Sequence, residues 1–413
     1  MQDIELYRHL LGIASPWTIS RVALDVAQQR VDVWAEHEVD RRWPCPECGK
    51  QLGLYDHSQE RVWRHLDSCQ FLTYLHASPP RVQCPDHGVK QVQLPWAQER
   101  SRFTMMFERF ALEVLRQSDV TGARRILRLS WDEAWGLLQR AVERGLRRKQ
   151  RRVVRRIGID EKAAAKHHRY VSVVCDLERG TVEYVGDDRK ETSLDGYFQS
   201  LSAQQREGIE AIAMDMWHPF VAAVRRHLPG GEARIVYDRF HVMKHMGDAV
   251  SDVRKREHRE LRRAGDETLA GSRFLWLYAE ENLPERDRAR FAELKSANLK
   301  TGRAWAIKES LRRLWQCRSA ASARHHWKRW HFWATHSRLD PVRKVAAMIR
   351  ERIDNVLRYY AHPITNAASE GLNSKIQTIK KMACGFRNRE HFKTAIYFHC
   401  GGLDLDPMTH AEA

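Results

Sequence analysis

Three short apolar runs each end in an aspartate: Ile157-Gly158-Ile159-Asp160, Ile212-Ala213-Met214-Asp215 and Ile235-Val236-Tyr237-Asp238. Such runs predict buried strands, and the carboxyl ends of strands are where α/β sheets place their ligand sites. Carboxylates gathered there suit phosphodiester hydrolysis and transesterification. In that chemistry two divalent ions about 3.5–4 Å apart activate the attacking oxygen and stabilise the leaving one. Mg²⁺ (or Mn²⁺) keeps several waters, so a few carboxylates hold it without a full protein cage. A lone Asp after a strand is more often a turn or helix cap than a ligand. Asp238, followed by Arg239-Phe240-His241, fits either a fourth acid at the site or such a cap.

A second constellation is built from Cys45-Pro46-Glu47-Cys48-Gly49 and Cys84-Pro85-Asp86-His87-Gly88. CxxC with CxxH offers Cys45, Cys48, Cys84 and His87, a set that tetrahedral structural Zn²⁺ accepts. Gly49 and Gly88 suit turns that point amides toward thiolates. Strand-like pieces at 61–66, 70–77 and 81–83 would complete a zinc ribbon. Cys69 is a rival fourth ligand, although a small buried hydrophobe is its simpler reading. The other cysteines, Cys175, Cys317, Cys384 and Cys400, are scattered singly in a chain of 413 residues. This is not the dense framework of a secreted disulfide scaffold, so a reducing, cytoplasmic setting is expected.

The elements that must position these groups follow from patterning. Strands are expected at 156–160, 170–175 and 181–186, then a helix at 194–205, a strand at 209–214, a helix at 217–227 and a strand at 233–237. Three strands, helix, strand, helix, strand, with Asp on the first and fourth strands, is the RNase H-like arrangement. That fold draws its last carboxylate from a later helix, and Glu370 is the candidate. Glu370, Asn373, Gln377, Lys380 and Lys381 fall near one helical face by three-to-four-residue spacing. Residues 250–345 show helical patterning and no strand signal. Of Trp276, Trp305, Trp315, Trp327, Trp330 and Trp333, most are expected in the core, with one or two left to stack on a displaced base. His325, His326 and His331 lack carboxylate or Cys neighbours at ligand spacing.

Upstream, Phe107, Phe110, Ala111, Val114 and Leu115 recur at amphipathic helical spacing. A short helix at 122–127 and another at 131–142, opened by Ser130 with Asp132 and Glu133 in its first turn, fit a helix-turn-helix. Its second helix would enter a major groove. Residues 144–156 then carry eight basic side chains and no acidic one. The run reads as a linker or helix end against phosphates, with Arg147, Arg148, Lys149, Arg151 and Arg152 as contacts.

The whole-chain balance agrees with a polyanion partner: Lys plus Arg number 70 against 53 acids, a net charge of +17. Hydrophobic residues make up 43 %, enough for a substantial core. No apolar run approaches the roughly 18 residues of a spanning helix, so no membrane role is expected. The start, Met1-Gln2-Asp3-Ile4-Glu5, has no signal-peptide character.

Several of these motifs resemble one family. Ile157-Gly158-Ile159-Asp160-Glu161, Met214-Asp215-Met216, Tyr237-Asp238-Arg239-Phe240-His241-Val242, Glu370-Gly371-Leu372-Asn373 and the stretch from Ile379 to Asn388 look like those of the ISL-three family of bacterial insertion-sequence transposases. The resemblance spans most of the chain, from the Cys cluster to about Phe398. It implies a metal-dependent DDE transposase that binds terminal inverted repeats and moves its own element. The triad carried over is Asp160, Asp215 and Glu370. In this family the second knuckle usually carries Cys ligands, so His87 is a departure. The expected organisation is an N-terminal segment (1–40), a zinc ribbon (41–96), a helix-turn-helix domain (101–150), an RNase H-like catalytic domain (151–248 and 342–402) and a helical insertion (249–341). Lys380, Lys381 and Arg387 are expected to contact phosphate. Double-stranded DNA, as element ends and target, is the expected partner of a homodimer or higher oligomer. The alternatives are a non-catalytic zinc and helix-turn-helix regulator, in which the acids are caps, and a structure-specific nuclease with the same triad.

Overall fold

The computed structural model describes residues 3–150, 152–165, 169–364 and 367–408, the side chains at 165, 169 and 367–370 excepted. The described residues fall into two compact units: one within 1–150, 379–384 and 390–413, the other within 151–378 and 385–389.

The first unit opens with α1 (Asp3–Leu10) and continues through β1 (Trp17–Asp25), β2 (Arg30–His37), β3 (Trp43–Pro44), β4 (Gln51–Leu52), β5 (Leu54–His57), β6 (Arg61–Arg64), β7 (Leu72–Ala77), β8 (Pro80–Cys84) and β9 (Gly88–Gln91). A four-stranded sheet has the order β1-β2-β7-β6. Its central pair is parallel, with Val31 opposite Thr73 and Val33 opposite Leu75. Val31, Val33 and Ala35 alternate inward along β2, as the two-residue period of a half-buried strand requires. They join Trp17, Trp43, Trp63, Leu75 and Trp96 in one core. Residues 1–40 therefore share a core with the strands beyond the Cys45 knuckle. The knuckle hairpins are β3–β4 and β8–β9, the latter completed by β5 in a three-stranded sheet.

Three helices follow: α2 (Met105–Gln117), α3 (Val120–Leu127) and α4 (Trp131–Arg148). Each has a side-chain N-cap: Thr104 on α2, Asp119 on α3, and Ser130 on α4 in a capping box with Glu133. On α2, Phe107, Ala111 and Leu115 turn inward, but Phe110 is exposed, contrary to its expected place on the apolar face. The buried Glu108 accepts from Arg140 at 3.0 Å and faces Arg144 at 3.5 Å. Arg144 also donates to the Leu405 carbonyl at 2.7 Å.

The second unit contains β10 (Arg156–Ala165), β11 (Arg169–Asp176), β12 (Thr181–Asp187), α5 (Asp195–Ser200), α6 (Ala203–Glu207), β13 (Ala211–Met214), α7 (His218–His227) and β14 (Ile235–Tyr237). The helix expected at 194–205 is two short ones, because Ser202 caps a fresh start at α6 with Gln205. The sheet order is β12-β11-β10-β13-β14. The first three strands are antiparallel neighbours, and β13 and β14 lie parallel to β10. Every residue of β13 and β14 is buried. Strands covered on both faces read as continuous apolar runs, which is why these were visible in sequence.

The remaining elements are helical: α8 (Arg239–Arg263), α9 (Glu285–Ser296), α10 (Lys300–Arg312), α11 (Ala320–Thr335), α12 (Asp340–Arg350), α13 (Ile353–Leu357), α14 (Ala367–Met382) and α15 (Arg389–Cys400). Trp276, Trp305, Trp315 and Trp330 are buried, as expected of core tryptophans, and Phe291 meets Trp276 and Trp305 edge-on at 5.1 Å. Lys308 on α10 is buried and donates to the carbonyls of Trp276, Leu277 and Tyr278, the last at 2.8 Å. Burial pushes its ammonium down, and Glu309 beside it opposes that. Lys308→Met leaves three carbonyls and a carboxylate short of a partner. It is expected to cost about 2–4 kcal/mol, read as a lower thermal midpoint.

Candidate functional site

The acids converge on one edge of the second unit's sheet. Asp160 does not end its strand, as the sequence suggested: β10 runs on to Ala165 alongside β11. What stops at this level is the pairing with β13, whose last register is Ile159 opposite Met214. Asp160 thus stands where its parallel neighbour gives way to a turn, and Asp215 is the first residue beyond that neighbour. Met214 in turn pairs with Tyr237, which sets Asp238 one strand further along the same edge.

Each carboxylate has its own restraints. The Asp160 Oδ1 accepts from the Glu161 N–H at 2.7 Å. Its Oδ2 accepts from Lys162 Nζ at 2.7 Å and from Asn373 Nδ2 at 2.8 Å. Asp215 folds back to accept from the Trp217 N–H at 2.9 Å. Burial pushes the Asp215 carboxyl above the usual range and the Asp160 charge pushes the same way, against the Trp217 amide, His241 and His245. Burial and a neighbouring carboxylate both work against the charge of Asp215, which a bound cation would offset. All-oxygen donors at strand ends fit a hard divalent ion.

Asp238 resolves differently. It is the N-cap of α8, accepting from the Phe240 N–H at 2.8 Å, with His241 Nε2 at 3.7 Å. The cap, one of its two expected readings, is the role seen.

Glu370 lies in the first turn of α14, and its side chain is outside the described residues. Asn373, three positions on and so on the same face, is the residue of that helix whose contact with Asp160 is visible. Arg189 escaped sequence reasoning. Its guanidinium lies over the Tyr170 ring at 4.4 Å and the Trp217 ring at 4.9 Å, and faces Glu161 at 3.4 Å. The Trp217 Nε1–H donates to the Arg189 carbonyl at 3.1 Å. Nothing in the local sequence signals a contact that needs the loop after β12 to reach the start of α7.

The basic run after Gly145 is only partly as expected. The helix extends to Arg148, and Arg144 is buried against Glu108 rather than directed at a polyanion. Arg148 donates to the Asp406 carbonyl at 2.6 Å and pairs with Asp404 at 3.2 Å. Arg152 pairs with the buried Asp176 and with Glu183, so its charge serves its own unit. Arg147, Lys381 and Arg387 are exposed, Lys149 and Lys380 are half-buried, and Arg151 lies outside the described residues.

In the first unit, Cys45, Cys48, Cys84 and His87 come together with all ligand atoms within 4.8 Å of one another. Cys48 and Cys84 sulfurs are 3.7 Å apart, and His87 Nδ1 is 3.5 Å from Cys84 and 3.9 Å from Cys45. Ligands about 2.3 Å (sulfur) or 2.0–2.1 Å (nitrogen) from one tetrahedral ion stand at such separations, so the set fits Zn²⁺. Gly49 and Gly88 have φ of +73° and +71°, which the knuckle turns require. Burial pushes the Cys84 thiol up, but the His87 ring and the Asp86 and His87 amides outweigh it and bring it down to about 6. Cys69 is exposed and outside this group.

Comparison with known proteins gives three family models in chain order. A zinc-finger of transposase IS204/IS1001/IS1096/IS1165 matches residues 41–87. A helix-turn-helix domain of transposase family ISL3 matches 92–142, and an ISL3-type model described as transposase matches 157–396. The chain is similar to the transposase for insertion sequence element IS1001 of Bordetella parapertussis, 28 % identical over 84 % of this chain and 86 % of that protein. It is similar also to the transposase for insertion sequence element IS1557 of Mycobacterium tuberculosis, at 27 % identity over 94 % of this chain and 93 % of that one. Among the described residues, no helix is long and apolar enough to cross a membrane.

Proposed function

The chain belongs to the ISL3 family of transposases, and from that premise we propose that it cuts and joins DNA at insertion-sequence ends with Asp160, Asp215 and Glu370 on an RNase H-like sheet. The observation that carries the reading is the Asn373–Asp160 hydrogen bond, because it ties the helix bearing Glu370 to the strand bearing Asp160. The strand order, with three antiparallel strands followed by two parallel ones, supports the fold assignment.

Asp160, Asp215 and Glu370 would hold two Mg²⁺ or Mn²⁺ ions, which when bound polarise the scissile phosphate and lower the barrier to attack by water or a 3′-hydroxyl. The protein's part is to fix the acids. The Glu161 and Trp217 amides orient Asp160 and Asp215, and the Asp238 cap anchors α8 beside them. Cys45, Cys48, Cys84 and His87 would hold one structural Zn²⁺ that shapes the ribbon. Helices α3 and α4 would recognise the terminal repeats as a dimer on DNA. Arg147, Lys149, Lys380, Lys381 and Arg387 would add phosphate contacts that carry no sequence information.

An in vitro strand-transfer assay with end-containing DNA tests the function. Glu370→Gln is expected to bind ends as the parent does and to lose both cleavage and joining. Hydrolysis without joined product from the parent protein would favour a nuclease, and unchanged activity in Glu370→Gln would remove that residue from the site.

A further inference from the structure

Lys162 follows Asp160 by two residues on β10, and the two-residue period of a strand puts both side chains on one face. Its ammonium is 2.7 Å from Asp160 Oδ2, with the lysine side chain only 12 % exposed. The same oxygen accepts from Asn373 at 2.8 Å. These two donors fill both lone pairs of Oδ2, and the Glu161 amide takes one of the two on Oδ1. Asp160 thus has a single lone pair left for an ion. A unit positive charge already occupies the place where an ion that used Oδ2 must bind.

We propose that Lys162 is a displaceable counter-ion: it neutralises Asp160 while the site is empty and moves to a phosphate oxygen of the DNA when the divalent ions take the carboxylate. This rests on the two-ion reading of the Asp160 site. A lysine suits the exchange because its ammonium is a point charge on a flexible four-carbon stem, able to pivot between two anions. Glu161 is turned to Arg189, so Asp160 is the acid that holds Lys162 in place. The exchange keeps the charge of the site low in both states. Loading of ions is thereby coupled to arrival of the phosphate that receives the lysine.

The test uses the full chain in its zinc-loaded form, with Mn²⁺ titrated in the absence of DNA and followed by electron paramagnetic resonance. Lys162→Met removes the competing cation and is expected to bind Mn²⁺ about tenfold more tightly or better, since unit charges at this range interact strongly even when partly screened. Its cleavage of end DNA at saturating Mn²⁺ is expected to fall about 100-fold, the phosphate having lost its cation. Lys162→Arg, which keeps the charge, is expected to retain the parent Mn²⁺ affinity, and it serves if the Met variant does not fold. Unchanged or weaker Mn²⁺ binding in Lys162→Met overturns the proposal, as does full cleavage by that variant at saturating ion. Asp160→Asn separates the two levels. If it keeps both Mn²⁺ binding and cleavage, the two-ion reading itself is wrong; if it loses them while Lys162→Met matches the parent, only the counter-ion is wrong.

Discussion

Asp215→Asn is expected to abolish metal-dependent DNA cleavage, by at least about 10³-fold, while binding to element ends stays within about twofold. The amide keeps the size of the carboxylate and can still accept from the Trp217 N–H, so the turn after β13 survives. What disappears is the negative charge that a divalent ion needs. Stability gives the second readout. Burial and the Asp160 charge raise the Asp215 carboxyl in the folded state. A group so raised stabilises the fold at pH below its unfolded value, about 3.9, and that contribution is lost as pH rises through the folded value. At neutral pH the metal-free parent therefore carries a repulsion that Asp215→Asn lacks. The variant should melt at the same temperature as the parent or higher without metal, and should gain nothing when Mg²⁺ is added. A variant that is inactive because it is unfolded would show the reverse.

Cys84→Ser, or stripping of zinc by a chelator, is expected to unfold the two knuckle turns and abolish end binding. Structural zinc contributes roughly 10–16 kcal/mol of apparent binding energy in small zinc-finger peptides, so loss of one thiolate is not absorbed by the few residues of the two knuckles. The Trp17, Trp63 and Trp96 core contains none of the four ligands. Circular dichroism should show the β1-β2-β7-β6 sheet persisting while zinc content falls to zero. The thiol of Cys84, brought down to about 6, is largely thiolate at neutral pH and ready to bind. Cys69→Ser should retain one zinc per chain, measured by mass spectrometry of the metal. If it loses the metal while His87→Ala retains it, the fourth ligand has been misassigned.

How far such features show in a sequence depends on whether their determinants are local. Asp160 and Asp215 stood out because strand segments buried on both faces must be apolar, and the first polar residue after such a run is conspicuous. The knuckles stood out because four ligands within two tight turns leave a fixed spacing. The partners of Arg144, Arg148 and Arg152 were hidden for the opposite reason. A run of charge says nothing about where its partners lie, and these partners are Leu405, Asp404, Asp406, Asp176 and Glu183. The core that residues 1–40 share with later strands was hidden for the same reason, since the parallel pairing of β2 with β7 spans the whole first knuckle. Arg189 needs three separate elements to meet before it can be noticed.

The anchoring of Arg144 and Arg148 by the C-terminal tail has a bearing on synthesis. Helix α4 leaves the ribosome early, but the carbonyls that hold its last turn belong to residues 405 and 406, which follow Arg144 and Arg148 by 261 and 258 positions. The last turn of the helix that closes the helix-turn-helix segment thus gains these partners only after the segment matched by the transposase model, residues 157–396, has been made.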